Sequence, residues 1–158
     1  MPYKVPISIP LEGHPFVTAE VFWKTSNSHS AVNFAVDTGA TDITLSQADA
    51  LKLGAELRDL PRSRRTIGGI GGRADCFEMN DLTLVFLCSP SGTVFTEIKT
   101  VDVVKAPTVE RHKDHHKGVV TARKISIPSL MGRNFLKSMH ATLYWNFDSD
   151  DAFLEFPS

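Results

Sequence analysis

The stretch that decides the fold is residues 34–41, Phe-Ala-Val-Asp-Thr-Gly-Ala-Thr. An apolar run of the kind found in buried β-strands leads into the carboxylate of Asp37, and Gly39 then permits a tight turn. This pattern places Asp37 at a buried strand end. A carboxylate is seldom buried without a partner, so the chain must supply one for Asp37. Taken alone, an Asp-Thr-Gly tripeptide more often forms an Asx-turn, in which the carboxylate accepts backbone N–H groups.

Length and composition indicate one globular domain. The chain has 158 residues, of which 42% are hydrophobic, enough for a substantial core. A formal net charge of −1 gives no general attraction to nucleic acid or to an anionic membrane, and no apolar run is long enough to span a bilayer. The N-terminus lacks a signal-peptide pattern, and Cys76 and Cys88 lack disulfide or metal spacing. We therefore expect reduced, buried thiols rather than redox switches, and a cytoplasmic protein.

Strand signals dominate the chain. β-Branched and aromatic residues recur in the ranges 16–23, 32–36, 81–88, 93–104 and 141–147. Between two of these ranges, Pro90-Ser91-Gly92 predicts a hairpin turn. Short helices are predicted at 46–53, where Ser46 is an N-cap candidate, and at 134–139. Many short strands with Gly and Pro turns predict a mainly β fold with a closed or sandwiched sheet.

Two further motifs are rich in glycine or centred on it. Residues 66–72, Thr-Ile-Gly-Gly-Ile-Gly-Gly, carry four glycines, more than a simple hairpin tip needs, which indicates backbone that moves or lies close to a ligand. Residues 129–136, Ser-Leu-Met-Gly-Arg-Asn-Phe-Leu, predict a strand that ends at Gly132 and opens into a helix. The plain alternatives are a flexible turn and an ordinary strand–helix corner with a solvated Arg133.

In this order, the three motifs resemble those of the retropepsins, the retroviral-type aspartic proteases. Residues 37–40 resemble the catalytic motif, residues 67–72 the flap tip, and residues 132–136 the Gly-Arg-Asn/Asp helix that precedes the closing strand. The resemblance spans about residues 16–147. It implies a closed acid-protease barrel of one lobe, with a flap hairpin and one or two short helices, and a single domain over residues 1–158.

The resemblance also implies a mechanism. A chain with one Asp-Thr-Gly motif implies a homodimer in which Asp37 and its symmetry mate share a proton and activate water, with no metal or cofactor. Thr38 is expected to fix the carboxylate across the interface, and Gly39 to lie close to an extended peptide substrate. The residues implied to bind or line the site for that substrate are Val36, Ala40, Thr41, Asp42, Ile43, Ile67, Gly68, Gly69 and Ile70.

The chain departs from the family pattern in two places. Thr41 stands where the retroviral enzymes usually carry an aspartate that pairs with the helix arginine. Arg133, which with Gly132 is expected to support the dimer, therefore needs another partner, either Asp42 or a backbone carbonyl. The stretch between flap and helix is also longer, and its polar residues 105–118 predict an exposed loop.

The chain ends and the histidines leave alternatives open. Residues 5–9 and 152–156 are strand-like, and the resemblance places them in the dimer interface; an ordinary edge strand is the alternative for each. The spacing of the histidines (His112, His115 and His116) fits no strong metal motif, so a solvated loop is favoured.

The sequence also bears on two alternatives to an aspartic protease. No Gly-x-Ser-x-Gly elbow supports a serine hydrolase. The main alternative is a retropepsin-like dimer that binds peptides, or only dimerises, without cleaving them. The intact motif at Asp37 and the intact flap sequence favour the enzyme.

Overall fold

The computed structural model describes residues 1–10, 13–69, 72–106, 110–113, 120–123, 127–149 and 151–158. This part of the chain is mainly β-strand, with short helices after β4 and after β10. The strands are β1 (Tyr3–Pro6), β2 (Phe16–Trp23), β3 (Ser28–Val36), β4 (Thr44–Ser46), β5 (Arg62–Gly69), β6 (Gly72–Leu87), β7 (Thr93–Val104), β8 (Glu110–Lys113), β9 (Val120–Arg123), β10 (Ser129–Met131), β11 (Thr142–Asn146) and β12 (Asp151–Phe156). The helices are α1 (Gln47–Lys52), α2 (Arg133–Ser138) and a 3-10 turn at Leu57–Asp59.

A closed ring of strands forms the body of the molecule. The order is β2-β3-β10-β4-β7-β6, and β6 pairs again with β2, which closes the ring. Alternate residues of β2 are buried, as period-2 side-chain alternation requires when one face of a strand meets the core. The interior is apolar and includes the fully buried Phe34, Leu45 and Phe86. The predicted mainly β fold with a one-lobe closed barrel is confirmed.

The barrel topology brings two distant motifs together. β10 lies parallel to β3, with Ser129 opposite Phe34 and Met131 opposite Val36, and it also pairs with β4. The chain leaves β3 and β10 at the same end, so the turn after Val36 and the corner at Gly132 must meet there.

Most local predictions agree with the structure. β2 and β7 have the predicted bounds, and both helices form, with Ser46 capping α1 through a hydrogen bond from the Asp49 N–H. The strand predicted at 81–88 is longer, since β6 begins at Gly72. Its polar first part resembles a loop in sequence, but β5 on one side and β7 on the other supply its hydrogen-bonding partners.

Two further predicted segments contain strand pairing that the sequence did not indicate. Within residues 105–118, predicted to be an exposed loop, residues 110–113 form β8, which pairs with β9, while residues 107–109 and 114–118 lie outside the described residues. Pairing between two strands satisfies backbone groups whatever the side-chain polarity, and composition does not reveal it. The chain ends also pair with each other, because β1, β12 and β11 form one three-stranded sheet within a single chain. β12 therefore has both of its edges occupied without a second copy.

A buried polar cluster joins α1 to β10. Asp49 accepts hydrogen bonds from the Ser46 hydroxyl at 2.9 Å and from the Ser129 hydroxyl at 2.7 Å, and it pairs with Lys52 at 2.7 Å. Ser129 is fully buried, and its oxygen accepts the Ser46 backbone N–H at 2.8 Å. This cluster fixes β10, and with it the start of α2, against β4.

We expect Ser129→Ala to lower the free energy of unfolding by about 2 kcal/mol, because it removes a donor to a buried carboxylate and leaves the Ser46 N–H unsatisfied. Urea denaturation measures the change. Ser91→Ala, at an exposed position in the β6–β7 turn, is the matched control and should change stability by less than about 0.5 kcal/mol. Equal losses in the two variants would contradict a structural role for the cluster.

Candidate active site

Asp37 lies on the turn that follows β3. Its Oδ1 accepts the backbone N–H of Gly39 at 2.8 Å and that of Ala40 at 3.2 Å. The Asx-turn expected for an isolated tripeptide is therefore present. Asp37 is half-buried rather than fully buried, and its Oδ2 accepts no hydrogen bond from the residues that the structure describes. One carboxylate oxygen is fixed by the backbone, and the other remains available for chemistry.

The corner between β10 and α2 holds this turn in place. The Asp37 N–H donates to the Met131 carbonyl at 3.2 Å, and the Arg133 N–H donates to the Ala40 carbonyl at 3.0 Å. The Asn134 N–H donates to the Thr41 carbonyl at 2.8 Å. Both α2 donors lie in the first turn of the helix, where N–H groups have no partner within the helix. The predicted residues at 37–42 and 132–133 are thus brought together.

Gly132 is the closest point of this contact. A Cβ atom at Gly132 would lie 2.5 Å from the Asp42 carbonyl oxygen, 2.8 Å from the Asp42 nitrogen and 2.9 Å from the Ala40 carbonyl oxygen. All three are backbone atoms, which cannot move aside as a side chain can. Its φ of −88° is open to any residue, so glycine is required here by space alone.

Asp42 has partners other than the one predicted. Its Oδ1 accepts the side-chain amide of Asn134 at 2.7 Å, and its Oδ2 lies 3.2 Å from the Arg65 guanidinium. Among the described residues, the Asp42 carboxylate thus contacts Asn134 and Arg65 rather than the suggested Arg133. Arg133 is exposed, and its backbone N–H donates to the Ala40 carbonyl. A backbone carbonyl as partner of its side chain stays a prediction.

The flap sequence forms the hairpin β5–β6. Its pairing continues to Gly69 opposite Gly72, with Ile67 opposite Ala74 and Gly68 opposite Arg73. Ile67 is half-buried and Gly68 is exposed. Ile70, predicted at the centre of the tip, lies outside the described residues. On the floor, Val36 is buried, Ala40 and Ile43 are half-buried, and Thr38, Gly39 and Thr41 are exposed.

Two residues near the site, Arg65 and Asp102, were not predicted from the sequence. Arg65 is one of three arginines in the run Arg62-Ser63-Arg64-Arg65, and nothing in that run separates it from its neighbours. Asp102 is buried on β7 and lies 3.8 Å from the Arg65 guanidinium. Both line a cavity of about 420 Å³ beside Asp42 and Asn134.

The two cysteines are free and buried. Burial raises the pKa of both the Cys76 and the Cys88 thiols, so the reactive thiolate is scarce at neutral pH. This agrees with the predicted buried, reduced thiols.

We expect iodoacetamide to alkylate both cysteines at least about tenfold more slowly in the native protein than in urea, since only unfolding restores the ordinary thiol pKa and exposes the sulfur. Mass spectrometry of peptides containing Cys76 and Cys88 gives the two rates. Equally fast labelling of the native protein would show that the thiols are reactive.

Neither a metal cluster nor a membrane helix is found in the part of the chain that the structure describes. No group of three His, Cys, Asp or Glu residues there could hold a metal ion. His115 and His116 fall outside the described ranges. No described helix is long and apolar enough to cross a membrane.

Comparisons with known proteins agree with this geometry. A family model described as aspartyl protease matches residues 19–85, a stretch that includes Asp37 and the whole flap sequence. Among solved structures, the chain is similar to a retropepsin-like aspartic protease from Rickettsia conorii, with a TM-score of 0.53 and 20% identity over 99% of this chain and 93% of that one. At this identity the likeness shows the fold.

A second solved structure, the EIAV protease complexed with an inhibitor, has a TM-score of 0.47 and 18% identity over 87% of this chain and 98% of that one. No curated protein matches the chain. Residues 19–85 are thus similar to the aspartyl protease family, and the chain as a whole has a retropepsin-like fold.

Proposed function

We propose that the chain is an aspartic endopeptidase that acts as a homodimer, with its two Asp37 carboxylates forming the catalytic pair. The observation that carries the proposal is the state of Asp37, whose Oδ1 is held by two backbone N–H groups while Oδ2 remains free among the described residues. A carboxylate fixed in this way is oriented for acid–base chemistry. One chain carries a single Asp-Thr-Gly motif, so the second carboxylate comes from a second copy.

The chemistry follows from two carboxylates in contact. Two negative charges about 3 Å apart cannot both persist, so the pair shares one proton. The ionised Asp37 takes a proton from water as the water oxygen attacks the peptide carbonyl, and the protonated Asp37 gives its proton to the carbonyl oxygen. When the resulting diol collapses, the C–N bond breaks, the protonated Asp37 gives its proton to the amine nitrogen, and the ionised Asp37 takes a proton from a diol hydroxyl, which restores the shared-proton pair.

The substrate is proposed to be an extended peptide between the β5–β6 hairpin and the turn at Asp37. Exposed glycine backbone at Gly39 and Gly68 leaves N–H and C=O groups accessible to a peptide main chain. Val36, Ala40 and Ile43 lie beside this turn on the floor, and Ile67 and Ile70 belong to the flap sequence. Together with Thr41, Asp42 and Gly69, they are the proposed contacts along the cleft, and they favour apolar residues near the cleaved bond.

The second copy is proposed to meet this chain around Thr38, whose exposed hydroxyl can reach a carbonyl or carboxylate of the partner. β11 is an end strand of its sheet, and it carries the exposed side chains of Leu143 and Tyr144. An open strand edge with apolar side chains is a suitable surface for a second copy. Gly132 and Arg133 support the dimer by holding the Asp37 turn. The free, buried cysteines fit the cytoplasm as the compartment.

The test is cleavage of an unstructured protein such as casein at mildly acidic pH. We expect measurable turnover by the wild-type protein. Sedimentation at micromolar concentration should show a dimer in the active preparation. A fully active monomer would contradict the shared pair. Tight binding of a statine-type inhibitor without turnover would instead favour a peptide-binding module.

A further inference from the structure

Arg65 joins the flap strand to the turn that carries Asp37. It lies on β5, and its Nη1 is 3.2 Å from Oδ2 of Asp42 and 3.8 Å from Oδ2 of Asp102. Asp42 follows Asp37 by five residues on the same turn. Asp102 belongs to the barrel strand β7, and its side chain is only 9% exposed. One guanidinium thus lies between the β5–β6 hairpin, the Asp37 turn and the barrel strand β7.

The same contact extends to α2. The second oxygen of Asp42 accepts the Asn134 amide at 2.7 Å, so Asp42 connects Arg65 on one side to the helix on the other. The Asp42–Arg65 and Asp42–Asn134 contacts can be removed one at a time by substitution, because they use different oxygens of Asp42. Asn134 and the backbone bonds of α2 hold the turn, whereas Arg65 alone among these groups belongs to the flap strand.

The flap strand needs such a connection where Arg65 lies. Among the strands that the structure describes, β5 is the end strand of its sheet and pairs only with β6. Its pairing with β6 is irregular between Arg62 and Thr66, which is the interval that contains Arg65. Ladder hydrogen bonds fix a strand less firmly where the register is broken. A side-chain contact from that interval can therefore set the position of β5 over the turn.

We propose that Arg65 is a positioning residue: through its contacts with Asp42 and Asp102, it sets the distance between the flap strand β5 and the Asp37 turn. The inference rests on the proposed peptidase function, because the flap strand is assigned a role in holding the substrate. Removing Arg65 leaves the Asn134 and α2 contacts to Asp37's turn in place. The change therefore weakens substrate binding more than the chemical step.

The direct test compares Arg65→Met with Arg62→Met in the peptidase assay. Arg62 is a close control, since it lies on the same strand, has 69% side-chain exposure against 68% for Arg65, and pairs with one carboxylate, Asp75, at 2.8 Å. Its partner lies within the β5–β6 hairpin, so its loss leaves the link to the Asp37 turn intact. We expect Arg65→Met to raise KM about fivefold with kcat changed less than about twofold, and Arg62→Met to change neither.

Amide hydrogen exchange tests the same link without activity. Exchange in residues 62–68 should be about fivefold faster in Arg65→Met than in wild type, and unchanged in residues 129–136. Arg65→Lys, which keeps the charge but loses the planar fork, should give intermediate values of both KM and exchange rate. If Arg65→Met does not fold, Arg65→Lys alone is compared with wild type in both measurements.

The outcomes separate this inference from the proposed function. Equal effects of the Arg65 and Arg62 variants on KM and exchange overturn the positioning role, as does an Arg65 variant indistinguishable from wild type in both. A loss confined to kcat overturns it as well. If the wild-type protein cleaves no peptide, the proposed function fails, and the exchange comparison still decides whether Arg65 holds the flap strand.

Discussion

Asp37→Asn is expected to abolish peptide cleavage while leaving the fold and the dimer intact. An amide at this position can still accept the Gly39 and Ala40 N–H groups through its oxygen, so the turn keeps its geometry. It cannot take a proton from water or carry the shared proton. Because the substitution occurs in both copies of a homodimer, both carboxylates of the pair are lost. Neither proton removal from water nor proton donation to the peptide carbonyl can then occur. We expect at least about a 10³-fold fall in kcat.

The measurement is turnover of casein or a fluorogenic peptide, together with sedimentation and thermal unfolding of the same preparation. Asp59→Asn is the matched control, because Asp59 lies in the 3-10 turn with 71% side-chain exposure. It should retain wild-type activity. An Asp37→Asn protein that cleaves as well as wild type would show that the assignment of Asp37 is wrong. Loss of activity with loss of the dimer would point to assembly rather than chemistry.

Gly132→Ala should destabilise the protein and reduce activity together. The new methyl group would lie 2.5 Å from the Asp42 carbonyl oxygen, well inside contact distance. Since the φ of Gly132 suits any residue, the cost comes from pushing α2 away from the Asp37 turn. That displacement lengthens the bonds from the Arg133 and Asn134 N–H groups. We expect a loss of about 3 kcal/mol, a fall in melting temperature of roughly 6–12 °C, and activity at least about tenfold lower.

Calorimetry and the peptidase assay measure the two effects. Gly68→Ala is the control for stability, because a Cβ atom at Gly68 would have no neighbour within 4 Å. It should change the melting temperature by less than about 2 °C. A Gly132→Ala protein as stable and active as wild type would mean that the contact between Gly132 and Asp42 is looser than the structure shows.

Several features could be predicted from the sequence because they are encoded locally. The alternation of β2 and the Pro and Gly residues before β7 define those strands from within a few residues. Ser46 marks the start of α1 because its side chain can satisfy an N–H three residues along. The order of the three motifs likewise indicated the fold and drew attention to Asp37, Gly132 and the flap.

Other features depend on contacts between residues far apart in the chain. The backbone N–H of Arg133 contacts the Asp37 turn, and a residue type does not reveal a backbone contact of this kind. β8 pairs with β9, and β12 pairs with β1 and β11; composition could not indicate either pairing.

By itself, the sequence determined that this chain builds a mainly β domain around an Asp-Thr-Gly turn, because turn, strand and cap preferences act over a few residues. Only the tertiary structure decided what surrounds that turn. The parallel pairing of β10 with β3 brings Gly132 against Asp42, and the position of β5 places Arg65 beside it. Such contacts depend on how the barrel closes, because close packing across distant segments is fixed by the whole fold rather than by any local pattern.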